Sequence, residues 1–122
     1  GNDRVDIIGL DAYQQSGDEK AFTGTLGKDL TMLCEFAKKT GRLVALTECG
    51  YQNLPEPTWW THVLKPQLEK YPLSYFLVWR NFNEKHYFAP APSTKDAPDF
   101  RKMVEDKRIL MLKDIETTNI SK

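Results

Sequence analysis

Cysteine is scarce in this chain of 122 residues: Cys34 and Cys49 are the only two, and they do not make a Cys-x-x-Cys pair. That spacing excludes a dithiol redox motif and a small zinc module, and leaves two buried free thiols as the expectation. Net charge is lacking too, because 17 Lys and Arg stand against 17 Asp and Glu with the two signs intermixed. No basic stripe is present to track phosphates, so neither nucleic acid nor an anionic membrane surface is an expected partner. No stretch approaches the about 18 apolar residues of a membrane-spanning helix. No leader-like segment is present either, which says nothing about secretion. Histidine is limited to His62, in a helical pattern, and His86, in a distant loop, so no ordered metal-ligand spacing exists.

What the chain does have is aromatic residues, with three Trp, five Tyr and six Phe, several of them where strands should end. Flat aromatic faces near a cleft suit weakly charged partners such as sugars, and they suit core packing equally well. The apolar pattern alternates between two kinds of element. Val5 to Leu10 is a β-branched run that stops at Asp11, and Leu43 to Leu46 and Tyr75 to Trp79 read as two more strands, apolar on both faces. Between the first two, Lys28 to Thr40 places Leu30, Leu33, Cys34 and Ala37 on one helical stripe, ended by Gly41. Between the second and third, a helix from about Thr58 to Lys70 carries Trp60, Val63, Leu64 and Leu68, with Pro66 expected to bend or interrupt it. A long loop from Arg80 to Ala97 is too long for a mere connector and suggests a lid or binding loop. Phe100, Met103 and Val104 mark a short helix, and Ile109 to Leu112 is a further strand or helical turn.

Strand–helix repeats with doubly apolar strands predict a parallel sheet covered by helices. Three such strands alone would leave open edges and a poorly covered face. The α/β fold class is therefore read as part of a (β/α)8 TIM barrel, whose whole would need about 250 residues. Residues 1–122 are expected to be the C-terminal portion of that barrel, incomplete as a catalytic domain and prone to self-association through its uncovered strands.

In a parallel barrel the chemistry sits where strands finish. The three strand ends read Asp11-Ala12-Tyr13, Thr47-Glu48-Cys49-Gly50 and Trp79-Arg80-Asn81. Glu48 should point to the barrel mouth, to attack a sugar carbon or to be satisfied by Arg80 or Tyr13. Asp11 can receive a substrate hydroxyl or hold Arg80. Tyr13 can donate to Glu48 or simply pack. Arg80 can fork to a carboxylate and keep it ionised. Trp79 can form a sugar platform or plug the core. Trp59 and Trp60 are adjacent on a helix and face different ways, which puts Trp60 in the core and Trp59 along the outer cleft or nowhere in it.

Three pieces, Val5 to Tyr13, Ala45 to Gly50 and Val78 to Asn81, together with His86-Tyr87-Phe88-Ala89-Pro90 leading to Asp99-Phe100, resemble glycoside hydrolase family 26, known best for endo-β-1,4-mannanases. The resemblance implies barrel strands six to eight. It implies that Glu48 is the catalytic nucleophile at the end of strand seven, that Tyr13 orients it, and that Asp11, Trp79 and Arg80 serve the substrate. It also implies hydrolysis with retention, no metal or organic cofactor, and a secreted, periplasmic or cell-surface enzyme. The substrate would be β-mannan, or β-glucan or β-1,3-xylan as in other members.

A retaining glycosidase needs two carboxyl groups about 5–5.5 Å apart. The family's acid/base glutamate ends strand four, and only 47 residues precede Glu48, so that partner is expected outside this chain. The chain alone is accordingly expected to be inactive. Two other readings stand beside this one: a carbohydrate-binding or scaffolding module on a degenerate half-barrel, and an unrelated α/β protein.

Overall fold

A computed structural model describes residues 5–118 of the chain. Strand β1 (Ile7–Gln14) leads into helix α1 (Glu19–Thr40), strand β2 (Leu43–Tyr51) and a π-helical turn (Trp60–Leu64) that continues as α2 (Lys65–Leu68). Strand β3 (Leu73–Val78), α3 (Ala97–Val104) and α4 (Leu112–Thr118) follow. The strands form one parallel sheet in the order β1-β2-β3. This is an open sheet with flanking helices, part of a (β/α) barrel and not a closed one.

The elements start and stop for local reasons. Asp18 caps α1 by accepting the Ala21 N–H at 3.0 Å, satisfying one of the donors every helix start leaves open. α1 therefore begins at Glu19, well before the Lys28 start read from the apolar stripe, and its early turns bury Phe22 and Leu26 on that same stripe. Gly41 ends it at φ 69°, a left-handed conformation that side chains resist. Ahead of Pro66, which has no N–H and crowds the carbonyl of His62, the helix widens so that the Lys65 N–H reaches Trp60 O. The interruption expected at Pro66 thus takes the form of a π turn. The Ile109 to Leu112 stretch forms no strand; helix α4 begins at its last residue.

The core lies between the sheet and its helices. Leu46, Cys49 and Tyr51 of β2 meet Leu26 and Leu30 of α1 and Trp60, Val63 and Leu64 of the π turn, with Leu10, Phe76 and Val78 packed against them. The opposite sheet face is open: Ile7, Leu43 (57% exposed), Tyr75 and Leu77 all present apolar side chains to solvent. This is the poorly covered face expected of three such strands without the rest of a barrel. Only the helix-side face is covered by described residues, and in a (β/α) barrel the other would point into the barrel interior.

Two of the strands carry their polar residues differently from the sequence reading. β1 and β2 continue through Asp11 and Glu48 to Gln14 and Tyr51, since ladder bonds use the backbone whatever the side chain. The β1–β2 register is regular from Ile7↔Leu43 to Leu10↔Leu46, then shifts so that Asp11 pairs with Glu48 and Tyr13 with Gly50. The extra residue, Thr47, makes the bulge that re-aims the next side chain.

Candidate active site

The bulge puts Glu48 on the open face beside Tyr13. The Tyr13 hydroxyl donates to Glu48 Oε2 at 2.6 Å, a length typical of a hydroxyl bonded to a carboxylate. Burial, then this bond and the Glu48 charge, with Asp11 and Cys49 contributing less, push the phenol well above its ordinary value. Tyr13 therefore remains a proton-bearing donor across the neutral range.

Thr47, the bulged residue, turns its hydroxyl to Leu10 O (3.1 Å) and Asp11 Oδ1 (2.7 Å). Its methyl lies over Gly9, where a Cβ would come within 2.3 Å of Thr47 Cγ2. Gly9 is required for that close approach. Asp11 is thus held by Thr47 and does not hold Arg80.

Trp79 stands at the end of β3, its N–H on Cys49 O at 3.2 Å and its ring half-exposed. With Tyr13, Gln15, Gln52, His86 and Phe88 it bounds a cavity of about 280 Å³ at the C-terminal rim of the sheet. Arg80 does not make the expected fork: its guanidinium lies over the Phe82 ring, 5.2 Å from the centroid. The ion pairs of Lys65 and Arg108 lie away from the rim. Arg80 follows the strand in an irregular segment, and cation–π contact with a neighbouring ring is within its reach there.

Trp59 requires the clearest correction. It is 0% exposed, packed against Trp60, Phe22 and Tyr51, and its indole N–H donates to Gln14 Oε1 at 2.7 Å. Trp60 is equally buried, with its N–H on Asp96 Oδ2 at 2.7 Å. Adjacent residues do point apart, but here α1 and the start of β1–α1 cover one ring while α3 covers the other. Trp59 belongs to the core and has no place along the cleft.

Cys49 is buried in β2, and burial pushes its thiol up to about 12, so it stays protonated and unreactive. Burial also raises the Cys34 thiol. No group of three or more His, Cys, Asp or Glu among the described residues is placed to hold a metal ion, and no described helix is long and apolar enough to cross a membrane.

Four residues at this rim were given no role by the sequence reading: Thr47, Gly50, Asn81 and Phe88. Only Gly50 carried a local signal, as a glycine directly after a strand-end Glu-Cys pair. The rest depend on long-range contacts that no periodicity encodes.

The geometry defines a class first: a parallel (β/α)-barrel sheet delivering a tyrosine-bound glutamate, a tryptophan and an open cavity to its C-terminal rim. Solved structures then specify the family. A GH26 β-mannanase from Bacteroides ovatus is 43% identical, with a TM-score of 0.88 over 93% of this chain and 33% of its own. The catalytic domain of a Bacillus sp. JAMB-750 GH26 endo-β-1,4-mannanase is 26% identical, with a TM-score of 0.82 over 98% of this chain and 36% of its own. A modular family 26 endo-β-1,4-mannanase from Cellulomonas fimi is 30% identical, with a TM-score of 0.76 over 90% of this chain and 26% of its own. No family model matches the chain, and no curated protein matches it. The chain belongs to glycoside hydrolase family 26 and spans about a third of the length of the B. ovatus relative.

Proposed function

We propose that this chain supplies the nucleophile half of a retaining endo-glycosidase acting on β-1,4-mannan, with β1 to β3 as barrel strands six to eight. The observation that carries this is the 2.6 Å Tyr13–Glu48 bond at the rim, in a chain 43% identical to a GH26 β-mannanase. In this reading Glu48 is the catalytic nucleophile. Tyr13 holds Oε2, which fixes the carboxylate plane and leaves Oε1 to attack the anomeric carbon. Trp79 offers its half-exposed ring as a sugar platform, and Asp11 and Arg80 line the substrate path.

The chemistry needs a second carboxyl group. Glu48 forms the glycosyl ester while that second group protonates the leaving oxygen, and water then breaks the ester with the second group acting as base. The only other carboxylate that β1 or β2 brings beside Glu48 is Asp11, and Thr47 already donates to it. The acid/base glutamate is therefore assigned to the part of the barrel outside residues 1–122, and this chain alone is expected to hydrolyse nothing. A secreted, periplasmic or cell-surface location goes with the same reading.

The test is hydrolysis by the full-length protein carrying this chain, across galactomannan, glucomannan, mixed-linkage β-glucan and β-1,3-xylan, with Glu48→Gln in parallel. Faster cleavage of the mannans, lost in Glu48→Gln, with the β-anomer released first, is the expected result. Preference for the glucan or xylan would reassign the substrate within the family. Undiminished cleavage by Glu48→Gln would remove the nucleophile assignment altogether.

A further inference from the structure

The loops that follow β2 and β3 are joined in an arrangement that ends on Tyr13. After β2 the backbone turns through Asn53 at φ 59° and Leu54 at φ 40°. A leucine in the left-handed region is strained, and it is held there by burial of its side chain in the core. The turn presents Asn53 to the distal loop: its N–H donates to Tyr87 O at 2.7 Å, and its Oδ1 accepts the Tyr87 N–H at 3.2 Å. Asn81 grips the same segment from the other side. Its Oδ1 accepts the N–H groups of Phe88 (3.0 Å) and Ala89 (2.8 Å), and its Nδ2 donates to Ala89 O (2.9 Å).

Residues 87–89 are thus fixed by two asparagines from two strand ends, and the Phe88 ring between them is pressed onto β2. A Cβ on Gly50 would lie 2.7 Å from Phe88 Cδ1 and 3.2 Å from its Cβ and Cγ, so glycine is what allows the ring to sit there. Phe88 meets Tyr13 edge-on, with centroids 5.4 Å apart at 65°, and His86 packs on Phe88 at 5.4 Å. Tyr13 lies on the open face of the sheet, the one the described helices do not cover. Phe88 is the ring that meets it there.

We infer that Asn81 and Phe88 are positioning residues for Glu48: they hold the Tyr13 ring in the rotamer that places its hydroxyl on the carboxylate. The inference rests on Glu48 being the nucleophile. A phenol bonded at 2.6 Å has little tolerance for ring movement, and a ring free on one side would spend part of its time in other staggered wells. The long loop after β3 then serves as a strut for the nucleophile, beyond whatever it offers to substrate.

The test uses the full-length protein with Asn81→Ala, Asn81→Asp and Phe88→Leu. Asn81→Ala and Phe88→Leu are expected to lower kcat by roughly 5- to 50-fold with KM little changed, within the scale of a small misplacement in an active site. Asn81→Asp keeps both acceptor contacts but sets an oxygen against Ala89 O in place of the donor, and should recover only part of the rate. A second readout needs no activity: 3-fluorotyrosine at position 13, titrated by fluorine NMR. Glu48, Asp11 and Cys49 face this phenol, with His86 behind Phe88, and the variants leave all four in place. The midpoint should fall by about one pH unit in Asn81→Ala and Phe88→Leu as the bond to Glu48 is lost. Loss of kcat with an unmoved fluorine midpoint would mean a folding role only and would overturn the inference, as would unchanged values of both. If Asn81→Ala does not fold, Phe88→Leu carries the decision alone. Hydrolysis that persists in Glu48→Gln would instead overturn the functional reading, while the fluorine titration still decides whether the strut acts on Tyr13.

Discussion

Replacing Tyr13 with Phe removes one hydroxyl and leaves the ring on Phe88 in place, so it isolates the bond to Glu48. That bond is 2.6 Å long and its acceptor is a carboxylate. Hydrogen bonds to charged groups contribute about 1.5–3 kcal/mol. Tyr13 is only partly buried, so water can replace part of the lost interaction, and the lower half of that range applies. At about 1.4 kcal/mol per tenfold in rate, kcat should fall by roughly 10- to 50-fold. KM should barely change, because the bond orients the attacking group and does not grip the sugar. Initial rates on β-1,4-mannotetraose over a range of concentrations would measure both, with denaturant unfolding to confirm equal folded fractions. Phe88→Leu should add little to Tyr13→Phe, since both act through one hydroxyl. A kcat within about twofold of the unsubstituted protein, or a rise in KM alone, would refute the orienting role and make Tyr13 a substrate contact.

Trp59→Phe should destabilise the protein by about 2–4 kcal/mol, through lost volume and an orphaned Gln14 acceptor, with KM unaffected. A raised KM at unchanged stability would return Trp59 to the cleft. Gly9→Ala should cost about 1–3 kcal/mol, because its new methyl displaces Thr47 and with it the bond to Asp11; the urea midpoint reads this, and an unchanged midpoint would contradict it. Asp106 gives a pH signature. Hydrogen bonds from the Arg108 guanidinium and N–H, and from Lys65, hold its carboxyl far below the ordinary 3.8. A lowered folded-state value adds stability that is complete above the unfolded value and fades as pH falls below it. The stability difference between the unsubstituted protein and Asp106→Asn should therefore be flat above about pH 5 and shrink below about pH 4. A difference that grows on acidification would have the wrong sign.

How much of this was legible in the sequence follows from the physics of each element. Ile7-Ile8 and Val44-Ala45-Leu46 announce strands because β-branched and apolar runs have few other uses. Gly41 announces a helix end because it alone takes φ 69° without strain. Glu48 and Tyr13 were identifiable as a pair because both follow apolar runs in parallel strands, which finish at one rim. The start of α1 was missed although Phe22 and Leu26, four apart and both buried, continue the apolar stripe back to the Asp18 cap. Gly24 and Gly27, poor helix formers, interrupt the run there. An open sheet face was legible from the strand count, but which residues it bares, Ile7, Leu43 and Leu77, was not: an apolar residue records what it packs against in a whole barrel. Arg80 and Trp59 went astray for a shared reason. Their type permits a site role, but their partners, Phe82 for one and Gln14 with Phe22 for the other, are set by loop and helix placement. Asn81 and Phe88 meet across the irregular loop after β3, and Phe88 reaches Tyr13 on a distant strand, contacts that no local pattern records.

The central claim is that Glu48 attacks the sugar, and covalent trapping tests it most directly. The full-length protein would be incubated with 2-deoxy-2-fluoro-β-mannosyl fluoride, whose glycosyl ester turns over slowly, then digested and read by mass spectrometry. The account predicts the added fluorosugar on the peptide containing Glu48, and no adduct in Glu48→Gln. An adduct on any other carboxylate, or steady mannan cleavage with no trapped ester at all, would contradict it.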